Sequence, residues 1–154
     1  MQWFKRLFPD YPRLPKSGKF LAWLTLLQGT KWPLEFAIHK YLYPEAPVVW
    51  WGILISLAVT ILTLLAAWNV FKYRLVGLRQ MLAVYGLAVI QIWIADKFFF
   101  NFSGVLALSL GYGSDNWQFK INFLALFFIW LVYKNIEYMK SEPTPAGQTA
   151  NEHD

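Results

Sequence analysis

Residues 48–71 contain no charged side chain, and this single run limits the chain more than any other feature. It opens on Trp50 and Trp51 and continues through Ile53, Leu54, Ile55, Leu57, Val59, Ile61, Leu62, Leu64 and Leu65. At 1.5 Å per residue, ~20 apolar residues in a helix cross the ~30 Å hydrocarbon layer of a bilayer. Lipid offers no partner for backbone N–H and C=O groups, so a segment of this kind satisfies them internally as a helix. The tryptophan pair suits the boundary between tails and headgroups.

The rest of the chain agrees with a membrane setting. Of 154 residues 57% are apolar and only 15% charged, and nine Trp, eight Tyr and thirteen Phe exceed what one small core takes in. The absence of cysteine excludes a disulfide framework, a thiolate metal site and a thiol nucleophile together. A formal charge of +5 could point to nucleic acid. The cations instead gather beside apolar runs, as they do at the ends of membrane helices, and nucleic acid is excluded as a partner. Pro9, Pro12 and Pro15 interrupt the N-terminal stretch before an apolar run of signal-peptide length can form. Trp3, Phe4, Leu7 and Phe8 beside Lys5 and Arg6 make residues 1–17 a basic aromatic leader at headgroup level.

Three further segments have the length to cross: residues 18–43, 76–100 and 117–138. The first carries Gln28, Lys31, Pro33, Glu35 and His39, which leaves a re-entrant helix as the alternative to a full span. Short cytoplasmic loops collect Lys and Arg. With all four segments crossing, Lys5, Arg6, Arg13, Lys16, Lys19, Lys72, Arg74, Arg79, Lys134 and Lys140 share the cytoplasmic side, ten of the 14 cations. The expected fold is therefore an all-α membrane protein, an antiparallel bundle of four transmembrane helices over residues 18–140, with both termini in the cytoplasm of a bacterial inner membrane. The apolar connection at residues 102–112 is expected to lie on the membrane or cap the bundle. Residues 141–154, with Pro143, Pro145, Gly147 and three carboxylates, read as a disordered acidic tail.

Short motifs carry a resemblance. Gly18-Lys19-Phe20-Leu21-Ala22-Trp23-Leu24, the Trp51-Gly52-Ile53-Leu54 entry to the second span and its basic Phe71-Lys72-Tyr73-Arg74 exit resemble the YdgK-like family of four-span bacterial inner-membrane proteins, a domain of unknown function. The aromatic close of the last span at Trp130 and Tyr133, followed by Tyr138-Met139-Lys140-Ser141, is similar too. The chain departs from the family at Glu142-Pro143, where the family has a basic pair after the serine. The resemblance spans residues 18–141 and implies a four-helix membrane fold without implying a chemistry.

The candidate site is polar. Gln28, Lys31, Glu35 and His39 are spaced 3, 4 and 4 apart and so share one face of the first helix. Asp96 and Lys97 reach a similar depth on the third, and Gln91 lies nearby as an amide able to bond another helix. Lys31, Glu35, His39, Gln91, Asp96 and Lys97 together define an expected outward-facing ligand or partner pocket; the competing reading is interfacial charges that snorkel to headgroups. Gly77, Ala83, Gly86 and Ala88 permit close helix approach. Only two histidines are present and no phosphate-cradling loop, so no catalytic residue, metal site or cofactor is expected and an enzyme is not. The expected role is structural or accessory, with lipid and another membrane protein or a second copy as partners. The alternative is a small transporter or permeation subunit using the charged cluster.

Overall fold

A computed structural model describes residues 2–42, 44, 50–94, 98–101 and 107–142. A short helix α1 (Gln2–Leu7) and a 3-10 turn (Tyr11–Arg13) lead into α2 (Lys16–Leu42), α3 (Trp50–Phe71) and α4 (Leu75–Val89). Four strands follow, β1 (Ile90–Ile94), β2 (Phe98–Asn101), β3 (Ser109–Ser114) and β4 (Trp117–Asn122), and α5 (Phe123–Ser141) closes the chain. Helices α2 to α5 pack side by side, α2 on α3, α3 on α4 and α4 on α5, with α2 also meeting α5.

The all-α expectation is overturned. An antiparallel sheet of order β2-β1-β4-β3 stands at the end of α4 and the start of α5. It interrupts two of the four expected spans: the helix expected over 76–100 ends at Val89, and the one expected over 117–138 begins only at Phe123. The reason lies in the residue types. Ile90, Ile92 and Ile94 alternate with Gln91 and Trp93, and Trp117, Phe119 and Ile121 alternate with Gln118 and Lys120. β-branched and aromatic residues with period two fit a pleated sheet. Ser114 pairs with Trp117 across Asp115 and Asn116, a two-residue turn of the composition hairpins favour.

Four transmembrane helices, and with them the multi-pass description, are likewise corrected. Among the described residues one helix is long and apolar enough to cross a bilayer, at Ile53–Phe71. Helix α4, at 15 residues, reaches only about 22 Å. Helix α2 is long enough at 27 residues, but Lys31 and Lys40 with Gln28 break its apolar character. Helix α5 turns polar from Lys134.

The core lies where the helices meet the leader. Leu21, Ala22, Ala66, Val70, Leu78, Met81, Tyr85 and Val132 are buried together with Phe8 and Leu14 from the leader. The leader is thus a packed part of the bundle. Phe4, Phe8 and Tyr11 form a ring cluster with Trp23, Trp68 and Phe71, at centroid separations of 4.9 to 6.1 Å. Edge-on and offset rings at such distances stabilise beyond their buried area.

Polar side chains fasten the helices to one another. The Thr25 and Tyr85 hydroxyls share a buried hydrogen bond of 2.9 Å between α2 and α4. Ser17 Oγ donates to Asn135 Oδ1 at 3.1 Å between α2 and α5, and Asn69 Nδ2 donates to Gln80 Oε1 at 3.0 Å between α3 and α4. Gly77 sets the closest approach: a Cβ there would lie 2.6 Å from the Val70 nitrogen and 2.8 Å from the Ala66 carbonyl oxygen. Ala88 is buried as well, whereas Gly86 and Ala83 face outward, so only half of the small-residue set mediates packing.

Candidate functional site

Of the six residues expected to form the pocket, the side chains of Lys31 and Gln91 are described. Lys31 is half-buried on α2, and Glu35 and His39 lie on the same unbroken helix, which passes through Pro33. Gln91 is on a strand rather than a helix. Its Nε2 donates to Ser109 Oγ at 3.2 Å, a bond between β1 and β3 across the sheet. Asp96 and Lys97 lie outside the described residues. Among the described residues no group of three His, Asp or Glu side chains could hold a metal ion. Gln28, the first member of the stripe, is buried and faces the bundle.

The densest set of functional groups sits at the opposite end, around the leader. Three segments distant in sequence converge there through Arg13, Tyr73 and Glu142. The Arg13 guanidinium lies 4.5 Å from the Tyr73 ring centroid and 3.4 Å from Glu142 Oε2, and it also meets Asp10 at 3.6 Å. The Tyr73 hydroxyl donates to Glu142. The leader, the α3–α4 turn and the end of α5 are thus joined by one charged network.

The turn itself follows from helix-end chemistry. Arg74 N–H donates to the Asn69 carbonyl and Tyr73 N–H to the Val70 carbonyl, both at 2.9 Å, the paired bonds of a Schellman helix end. Such an end needs a residue in the left-handed region, usually glycine; here it is Tyr73, at φ 56°. A bulky side chain in that conformation is uncommon and costs on the order of 1 kcal/mol or more. The contacts to Arg13 and Glu142 offset that cost.

The leader, the start of α2, the α3–α4 turn and the second half of α5 carry Lys5, Arg6, Lys16, Lys19, Lys72, Arg74, Lys134 and Lys140, and with them the carboxylates Asp10, Glu137 and Glu142. All three are already engaged, Asp10 and Glu142 by Arg13 and Glu137 by Lys134 at 3.7 Å. Lys19 Nζ donates to the Pro12 carbonyl at 3.0 Å and lies 5.3 Å from the Tyr11 ring centroid; Lys72 Nζ lies 4.9 Å from that of Trp68. A strongly positive, aromatic-rich end can attract and hold anions.

The network itself is not legible in the sequence, because Arg13, Tyr73 and Glu142 carry no spacing signal and meet only through the fold. Comparison with protein-family models, curated proteins and solved structures finds no match for this chain.

Proposed function

We propose that this chain is a structural or accessory protein of a cell membrane, inserted through α3 and holding another membrane component, in a bacterial inner membrane as the sequence reading expects. The observation that carries the reading is the inverted polarity of α3. Its outward face presents Leu54, Leu57, Ile61, Leu65 and Trp68, each between 42% and 55% exposed, at spacings of 3, 4, 4 and 3. Its inward face carries Thr60, Thr63, Ala67 and Val70, all buried. A core helix of a water-soluble protein has its bulky apolar residues inward. Here small and hydroxyl-bearing residues face the neighbouring helices, the pattern by which helices pack in lipid, where apolar groups gain nothing by clustering. Only 28% of the apolar stretch is buried within the chain.

The flanking helices add exposed apolar residues of their own. Phe20, Trp23 and Leu27 on α2 and Leu126, Phe127 and Trp130 on α5 point outward, although both helices also bury bulky residues, Leu21 and Leu24 on α2 and Phe128, Val132 and Ile136 on α5. An exposed apolar surface of this extent marks contact with lipid or with a partner.

Alkaline extraction of native membranes tests the reading. The chain should stay with the membrane pellet, and Ile61→Arg, which costs about 3 kcal/mol in the hydrocarbon layer, should shift it toward the supernatant while Ile61→Val does not. Recovery of the unsubstituted chain in the supernatant would overturn insertion. A photo-reactive side chain at Leu54, Ile61 or Leu65 should yield a protein adduct, and adducts to lipid alone at all three would remove the partner-holding role.

A further inference from the structure

Three tryptophans surround the leader's ring cluster and remain accessible: Trp3 at 66%, Trp23 at 45% and Trp68 at 42%. Phe4 touches the rings of Trp3 and Trp23 at 5.9 and 6.1 Å, and Phe8 touches that of Trp68 at 4.9 Å, so the three share one surface. Two cations stand over rings of this cluster, and two more are exposed on the same short helix as Trp3. Lys5 and Arg6 are exposed on α1, between Trp3 and the buried Phe8. Lys72 stands over Trp68, and Lys19 over Tyr11, whose hydroxyl accepts from Trp23 Nε1 at 3.1 Å. Among the described residues none of the four is paired with a carboxylate, since the nearby Asp10 is taken by Arg13.

Along α3 the surface then changes in a fixed order. Leu57, Ile61 and Leu65 are exposed, Trp68 follows within one turn, and Lys72 follows within the next. Acyl chains, the interface and phosphate occupy the same order across one leaflet. From this ordering and the unpaired charge we infer that Lys5, Arg6, Lys19 and Lys72, set among Trp3, Trp23 and Trp68, form a binding surface for the headgroups of anionic phospholipids. The leader is the element that makes it, because α1 brings two cations and a tryptophan to the α3 end only by seating Phe4 and Phe8 in the cluster. The inference rests on the membrane reading above.

The test is lipid selectivity of the full chain in bilayers containing spin-labelled phosphatidylglycerol or spin-labelled phosphatidylcholine. The anionic label should be the more strongly motionally restricted, and added salt should reduce the difference by screening. Replacing the four cations together (Lys5→Gln, Arg6→Gln, Lys19→Gln, Lys72→Gln) should lower the preference about fivefold or more, while Lys134→Gln with Lys140→Gln should leave it in place. Equal restriction of both labels, or an equal fall in the Lys134/Lys140 control, would overturn the inference and leave the membrane reading standing. Displacement of the anionic label by inorganic phosphate would overturn it in favour of a free-anion site. Restriction of neither label would remove the membrane reading itself. The comparison of the two labels on the unsubstituted chain decides the matter even if the fourfold variant fails to fold.

Discussion

Tyr73 shows how one residue carries a cost in one place and returns it in another. Its backbone occupies the left-handed region that ends α3, and its side chain contacts Arg13 and Glu142. Tyr73→Phe keeps the ring and backbone but removes the hydroxyl, and should lower stability by about 1 kcal/mol in a thermal or denaturant titration in detergent. Arg13→Gln and Glu142→Gln should each destabilise by a similar amount. Because they share a contact, the double variant should lose less than the sum, and strict additivity would show that the ion pair contributes nothing. Gly77 and Gly86 make a sharper contrast. A methyl at 77 meets the backbone of Val70 and Ala66, which cannot rotate away, so Gly77→Ala should cost about 1 to 3 kcal/mol. Nothing lies within 4 Å of a methyl at 86, and Gly86→Ala should be neutral or stabilise by about 0.5 to 1 kcal/mol through helix propensity. Equal effects at the two sites would contradict the α3–α4 packing described above.

At the scale of elements, the junction of β4 with α5 depends on Asn122. Its Oδ1 accepts from Leu124 N–H at 3.1 Å and Ala125 N–H at 3.3 Å, capping the helix, and from Leu108 N–H at 3.2 Å, tying in the start of β3. The Nδ2 of the same side chain is buried without a partner among the described residues. Asn122→Ala should therefore cost about 1 to 2 kcal/mol, measured by thermal unfolding, and Asn122→Ser should recover part of it by restoring an acceptor without the orphaned donor. The capping signal is present in the sequence as an asparagine ahead of Phe123, Leu124 and Ala125. Residues 117–122 hide it, because they continue directly into the apolar run that begins at Phe123. Three of the helix ends were legible for the opposite reason: Lys72 to Arg74 and the proline-bearing stretches before Lys16 and after Leu42 interrupt apolar runs with residues that end helices.

For the whole molecule, the sorting of side chains matters more than the count of spans. On α3 the bulky apolar residues Leu54, Leu57, Ile61 and Leu65 face outward and Thr60, Thr63, Ala66 and Ala67 inward, whereas α2 and α5 carry bulky residues on both faces. Hydropathy summed along the chain is blind to that sorting. It weighs an outward Leu57 and a buried Leu78 alike, and it cannot tell a lipid-facing helix from a strand built of the same isoleucines and aromatics. Cations at the ends of apolar runs are legible in the sequence, and Lys19 and Lys72 meet the aromatic cluster at such ends. Helical spacing placed Lys31, Glu35 and His39 on one helix correctly, but the assumption that residue 91 continued a helix placed Gln91 on an element that does not exist there.

What the sequence determined by itself is the set of local facts: which runs are apolar enough to need lipid or burial, where glycine, proline and charge break them, and where cations collect. These are properties of neighbours along the chain, and composition and spacing report them directly. The tertiary structure alone decided that two apolar runs become strands, that the leader is packed into the core, and that Arg13, Tyr73 and Glu142 meet. Each depends on contacts between residues far apart in sequence, where pairing partners and packing space, rather than intrinsic hydropathy, select among the conformations that the local sequence permits.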